Sequence, residues 1–196
     1  IIPWNYPLQM GARTIAAALA AGNAIILKPA EEACLAVIRL AELALEAGIP
    51  ADVINIVTGL GEEAGAALSG HPGIDHICFT GSPAVGTLVQ KASADYNRSC
   101  TMELGGKSPQ IVFSDADWDK ALPTVLAAIL QNAGQTCSAG SRLLVDRSIY
   151  DDFVAEVATR FVKLKVGAWQ SDLDCGPLIS ETQRSRVTSF VNTAVA

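Results

Sequence analysis

Residues 24–57 read AIILKPAEEACLAVIRLAELALEAGIPADVINIV. Ala24–Leu27 is a short apolar run behind the stop signal Gly22-Asn23, and it reads as a buried strand. From Glu31 to Ala47 the apolar residues Leu35, Ile38, Ala41 and Leu45 recur at helical spacing, and Gly48 and Pro50 end the pattern. Val53–Val57 is a second short apolar run. Neither run alternates polar with apolar residues, as a strand with one wet face would. Strands of this kind separated by a helix point to a parallel sheet covered on both faces.

The same alternation continues in both directions. Upstream, Leu8, Ala12, Ile15 and Leu19 place a helix over Pro7–Ala21, with Pro7 near its first turn. Downstream, the turn Gly59-Leu60-Gly61 opens a short helix to about Ser69. Strand His76–Phe79, helix Pro83–Ala94 and strand Ser99–Leu104 follow. After Gly105-Gly106 the pattern restarts with strand Gln110–Phe113, helix Asp117–Gln131, strand Arg142–Val145 and helix Ile149–Leu164. The class is α/β, with a doubly wound, mostly parallel sheet in residues 1–105 and the start of a second α/β domain in residues 106–196.

Composition narrows the function. Half of the 196 residues are hydrophobic and 17% are charged, which is the composition of a folded, core-forming chain. Twenty acidic residues against 14 basic ones, the latter scattered, argue against a nucleic-acid partner. The least charged stretches are interrupted by Gly, Pro, Asn and Gln, so no membrane span is expected. The cysteines at 34, 78, 100, 137 and 175 form no CxxC pair, and His71 and His76 have no ligand company, so neither a metal site nor a disulfide framework is expected. Widely spaced thiols fit a reducing, cytoplasmic setting. The chain opens on Ile1-Ile2-Pro3 and closes on Thr193–Ala196, which reads as helix interior, so it is expected to be a section of a longer protein.

Several residues could carry chemistry. Cys137 sits among small residues, Gly134-Gln135-Thr136-Cys137-Ser138-Ala139-Gly140, where a thiol is accessible and backbone can approach a ligand. Cys34, Cys78 and Cys100 fall inside apolar elements and read as buried structural thiols. Glu103 interrupts a strand just before Gly105-Gly106-Lys107, at the edge where open α/β sheets bind ligands; removal from water there suits a general base, and a pair with Lys107 is the structural alternative. Asn5 stands at a helix start, either as an N-cap or as an amide that donates to a developing oxyanion. Lys28 and Glu31 lie at the carboxyl edge of the first strand, where ribose hydroxyls can be held, and Gly59, Gly61 and Gly65 resemble a phosphate-cradling turn without the usual dinucleotide spacing.

The order and spacing of these pieces resemble the NAD(P)-dependent aldehyde dehydrogenase superfamily along the whole chain. Pro3-Trp4-Asn5-Tyr6-Pro7 is similar to the family's oxyanion motif and Lys28-Pro29-Ala30-Glu31 to its adenosine-ribose motif. Phe79-Thr80-Gly81-Ser82 with Gly86 resembles its coenzyme-binding turn. Glu103-Leu104-Gly105-Gly106-Lys107 resembles its general-base motif, and Gly134-Gln135-Thr136-Cys137 its nucleophile motif.

The resemblance implies oxidation of an aldehyde to a carboxylic acid, with Cys137 as nucleophile, Glu103 as general base and Asn5 as oxyanion donor. Trp4, Lys28, Glu31, Gly61, Gly65, Phe79, Thr80, Gly81, Ser82, Leu104 and Gly105 would bind the coenzyme. An acid beside the 2′-hydroxyl repels a 2′-phosphate, so NAD is expected over NADP. Tyr6, Met10 and Arg13 share a helix face that lines the aldehyde tunnel in the family. Arginine at position 13 resembles the semialdehyde branches, where it forks onto the substrate's far carboxylate; a salt bridge to an acidic neighbour is the alternative. The resemblance also implies a homo-oligomer for the full-length protein. Rival readings are an NAD-binding module without turnover and a relative that transfers its acyl group to coenzyme A, for which Glu103 is the discriminating residue. Apolar elements of the second half lack visible partners, so exposed apolar surface and association are expected of the isolated chain.

Overall fold

The computed structural model of the protein describes residues 1–195. The chain divides into two compact units, Ile1–Gly105 and Gly106–Ala196. Its strands pair in parallel, and helices connect them, so the class is mixed α/β.

In the first unit the elements are α1 (Pro7–Ala20), β1 (Ile25–Leu27), α2 (Leu35–Glu46), β2 (Ile54–Ile56), α3 (Ala66–Ser69), β3 (His76–Thr80), α4 (Pro83–Ala94) and β4 (Ser99–Glu103). β1 pairs with β2, Ile25 opposite Ile54, and β3 pairs with β4, His76 opposite Ser99. The two ladders are joined by the first two residues. Ile2 N–H donates to the Lys28 carbonyl at 3.0 Å, the Ile1 ammonium to Cys78 O at 2.8 Å, and Thr80 N–H to Ile1 O at 3.1 Å. Ile1-Ile2 therefore bridges β1 and β3 by backbone hydrogen bonds.

Two cores hold this unit. Ile2, Ile15, Leu27 and Val37 form one, and α1 approaches it closely through Gly11, where an added Cβ would lie only 3.6–3.7 Å from Leu40, Leu27 and Val37. Met10, expected on a substrate-facing surface, packs against this core. Ile77, Phe79 and Val89 form the other, flanked by Met102 and Leu104. Buried Arg98 braces it. Its guanidinium donates to the carbonyls of Ser69 (2.5 Å), His71 (2.9 Å) and Ile74 (3.1 Å), capping the C-terminal turn of α3 with charge-assisted bonds.

The sheet corrects one expectation. Ile77 and Phe79 of β3 point inward, whereas His76, Cys78, Ser99, Thr101 and Glu103 are exposed, so β3 and β4 are covered on one face within the described residues. Cys78 is consequently an exposed thiol and not a buried one. The outward His76 ring bonds the hydroxyls of Ser99 (2.7 Å) and Thr101 (3.1 Å).

The second unit contains β5 (Pro109–Val112), α5 (Trp118–Leu130), β6 (Arg142–Val145), α6 (Tyr150–Val162) and α7 (Glu181–Val195). β5 and β6 run parallel with Ile111 opposite Leu144. Val112, Leu122, Val125, Phe153 and Val157 form its core, and Trp118 meets Phe153 edge-on at 5.1 Å between ring centroids. The opposite side of the strands is open: Ile111, Phe113 and Leu144 are exposed. The helical reading of the chain's end holds through Val195, and Ala196 lies outside the described residues. Among those residues no helix is long and apolar enough to cross a membrane, and no cluster of His, Cys, Asp and Glu could hold a metal ion.

Candidate active site

The candidate residues fall into separate groups, the first of them where β1 ends. Lys28 is 3% exposed, and its Nζ donates to Glu31 Oε2 at 3.0 Å. A hydrogen bond from its own backbone amide, together with the Lys28 contact, holds the Glu31 carboxyl below its ordinary value of 4.5. A cation and a half-exposed carboxylate side by side match the vicinal hydroxyls of a ribose.

The turn after β3 is built around aromatic packing. The Phe79 ring occupies the space above Gly81, where an added Cβ would come within 2.6 Å of its Cζ, and Leu104 fills the space above Gly86, 2.7 Å from where a Cβ would stand. Gly81 N–H donates to the Glu103 carbonyl at 3.0 Å, which ties the turn to the end of β4. Ser82 Oγ caps α4 by accepting from Val85 N–H at 3.4 Å, and Pro83 follows in the first turn. Phe79, Thr80, Gly81, Ser82 and Leu104 are thereby brought together. The other glycine turn takes a wide π form over Gly61–Gly65 before α3, in place of the regular helix expected there. Gly59 is required in it, because its φ is +145° and a Cβ would press on Ala64. Gly61 and Gly105 have open space where a Cβ would stand, so backbone is accessible to a ligand at both.

Asn5 is half-buried and precedes the residue that caps α1, which is Tyr6; the N-cap reading of Asn5 is not what the structure shows. Trp4 and Tyr6 are likewise half-buried. Glu103 ends β4 opposite Thr80 and is exposed, so the expected removal from water is absent in this chain. Its partner is also not Lys107, whose Nζ donates to the Gly106 carbonyl. Arg13 takes that place, with Nη2 at 3.2 Å from Glu103 Oε1.

Cys137 belongs to the second unit and is exposed. It follows a backbone that turns left-handed for three successive residues, Asn132 (φ 51°), Ala133 (φ 57°) and Gly134 (φ 75°). Such a run is strained for the two non-glycine residues and is typical of functional loops. Side-chain amides hold the segment around Cys137. Gln135 donates to the Asn132 carbonyl at 3.0 Å and accepts from Ile179 N–H at 2.9 Å, while Gln110 donates from β5 to the carbonyls of Gly140 (2.9 Å) and Val125 (3.2 Å). A Cβ on Gly106 would overlap the Cys137 carbonyl oxygen, and one on Gly140 would press on Gln110. The sequence flagged the small residues of this segment but gave no sign that Gln110 braces it or that Ala133 is left-handed. A glutamine in a strand and an alanine before a glycine are each unremarkable in isolation.

The Aldehyde dehydrogenase family model matches residues 1–196. An aldehyde dehydrogenase of Emericella nidulans is 48% identical over 98% of this chain and 39% of its own length. A crystal structure from Burkholderia cenocepacia superposes with a TM-score of 0.97 at 61% identity, covering 98% of this chain and 40% of that one. The betaine aldehyde dehydrogenase of Staphylococcus aureus, solved in complex with NAD+, gives 0.93 at 41% identity over 97% of this chain and 38% of its own. The chain thus spans about two-fifths of the length of the relatives it matches.

Proposed function

The chain belongs to the aldehyde dehydrogenase family, and on that basis we propose that the protein carrying it oxidises an aldehyde to a carboxylic acid through a thioester on Cys137. The observation that supports this most directly is the exposed Cys137 thiol three residues after a strained left-handed turn, in a segment that Gln135 bonds at Asn132 and Gln110 bonds at Gly140. Strain held in place by that many bonds presents a nucleophile rather than burying a structural thiol.

The residues present fit a dinucleotide cofactor. The Lys28–Glu31 pair suits the adenosine ribose, and the Glu31 carboxylate disfavours a 2′-phosphate, which makes NAD the preferred form. Open backbone at Gly61 and the capped start of α4 after Phe79-Thr80-Gly81-Ser82 suit the phosphates, with Gly65 on the turn behind Gly61, and Trp4, Leu104 and Gly105 complete the set. When bound, NAD supplies the hydride acceptor.

In the reading proposed here, the Cys137 thiolate attacks the carbonyl carbon, and the Asn5 side-chain amide and the Cys137 N–H donate to the oxygen as it gains charge. Once the carbon has been oxidised to a thioester, Glu103 takes a proton from the water whose oxygen attacks it. The carbon–sulfur bond then breaks, Cys137 leaves as thiolate, and the acid departs. The carboxylate of Glu103 favours water over coenzyme A as the acyl acceptor. Residues 1–105 serve as the coenzyme-binding part and 106–196 as the start of the catalytic part, with Tyr6 and Arg13 toward the aldehyde.

The test is NADH formation from a panel of aldehydes by the protein that carries this chain, beside a Cys137→Ala variant. NADH that disappears in the variant while NAD binding persists supports the proposal. NADH undiminished by the substitution would overturn it.

A further inference from the structure

Cys137 is carried at the tip of a turn rather than on a regular element. Ala139 N–H donates to the Thr136 carbonyl at 3.2 Å, so Cys137 and Ser138 are the central residues of that turn, and the arm that leaves it, Ala139-Gly140, is buried. The arm is fastened on both sides of Gly140. Its N–H donates to the Ala128 carbonyl of α5 at 3.0 Å, and its carbonyl accepts from Gln110 Nε2 at 2.9 Å. The same nitrogen donates to the Val125 carbonyl of α5 at 3.2 Å, so both Nε2 protons of Gln110 are spent on main-chain oxygens. The fit is close. A Cβ on Gly140 would lie 2.5 Å from Nε2 and 2.6 Å from Cδ, so Gly140 and the amide lie flat against one another. Gln110 itself is half-buried on β5 and has no part in the chemical steps set out above.

Resting on the reading of Cys137 as the nucleophile, we propose that Gln110 is a positioning residue for that thiol: it locks the downstream arm of the turn to β5 and α5 and so fixes where Sγ stands. A thiolate that attacks a carbonyl carbon must be held about 3–3.5 Å from it on a narrow line of approach, and a displacement of about 1 Å costs up to roughly a hundredfold in rate. The place calls for a hydrogen-bond donor. An apolar side chain of similar length would withdraw that donor and leave Gly140 fastened by its N–H alone.

The experiment follows single-turnover NADH formation by the protein that carries this chain, with enzyme in saturating excess over aldehyde and NAD saturating. The rate constant then belongs to the competent sites and does not depend on how many of them there are. Gln110→Met keeps the length and removes both donors; Gln110→Asn keeps the donors but is one methylene too short to reach both carbonyls. Gln110→Met is expected to lower the rate constant about tenfold or more with the Kd of NAD, measured by calorimetry, unchanged, and Gln110→Asn to lower it by less. A rate constant within about twofold of wild type in folded Gln110→Met overturns the proposal even where the melting temperature has dropped, because the bond then only adds stability. If Gln110→Met does not fold, Gln110→Asn carries the same test, and a wild-type rate constant there overturns the proposal. NADH formed at the wild-type rate by Cys137→Ala would instead remove the reading of the site on which this role of Gln110 depends.

Discussion

The buried Lys28 ammonium donates to Glu31 Oε2 at 3.0 Å, so its charge is met by a part-exposed carboxylate three residues on. Glu31 titrates below 4.5 for two reasons, its own backbone amide first and Lys28 second. A carboxyl whose folded value is depressed contributes stability that is complete above 4.5 and is lost as pH falls through the folded value. Carboxyl NMR titration should place Glu31 below 4.5, and Lys28→Ala should move it only part of the way back, because the backbone bond remains. The same variant should weaken NAD binding, measured by calorimetry.

Ala133 carries a left-handed φ of 57° immediately before Gly134. Ala133→Gly removes a penalty of about 1–2 kcal/mol for that conformation, partly offset by glycine's extra chain entropy, so a stability gain of up to ~1 kcal/mol is expected. Ala133→Val adds β-branching to an already disfavoured conformation and should destabilise the protein. Thermal melts check the first effect. Alkylation of Cys137, slowed or made heterogeneous in Ala133→Val, checks the link to the thiol.

Arg98 bridges the carbonyls of Ser69, His71 and Ile74 from a buried position. Arg98→Met fills similar space but removes the guanidinium donor from the Ser69 and Ile74 carbonyls and leaves His71 only the Ile74 N–H, with an expected loss of ~1.5–3 kcal/mol. Arg98→Lys should not restore it, since a point ammonium cannot reach all three carbonyls as the planar fork does. Urea unfolding midpoints of the two variants should both fall.

Phe153 is fully buried and meets Trp118 edge-on in the core of the second unit. Phe153→Ala should cost ~3–5 kcal/mol, and Phe153→Leu much less because most of the volume is kept. Denaturation followed by fluorescence in a Trp4→Phe, Trp169→Phe background, where Trp118 is the one remaining tryptophan, reads this unit.

Ile111 and Leu144 are register partners that are 61% and 47% exposed on one side of the β5–β6 pair. The isolated 196-residue chain should therefore associate, and an Ile111→Lys, Leu144→Thr double variant should shift it toward monomer in sedimentation velocity. A sharp monomer from the unmodified chain would contradict this.

Local signals carried much of the architecture. Strand Arg142–Val145 and helix Pro83–Ala94 appear with the boundaries their periodicity indicated, because a Ser-Pro start and an apolar repeat act within a few residues. The helices Pro7–Ala21 and Asp117–Gln131 differ from the observed α1 and α5 by one residue at an end or two. The wide turn at Gly61–Gly65 was not legible, since glycine and alanine permit several helical pitches alike.

By itself, the sequence determined the order of strands and helices, the residue types able to do thiol and carboxylate chemistry, and a family resemblance that the comparisons bear out. These rest on short-range periodicity, turn chemistry and motif spacing, all of which are written along the chain. Only the tertiary structure decided that Arg13 faces Glu103 across 90 positions, that Cys78 is exposed while Ile77 and Phe79 are not, and that Ala133 is left-handed in a segment that Gln135 bonds at Asn132 and Gln110 bonds at Gly140. Each of those depends on which faces of distant elements pack together, and packing is set by the sum of many weak contacts that no single segment encodes.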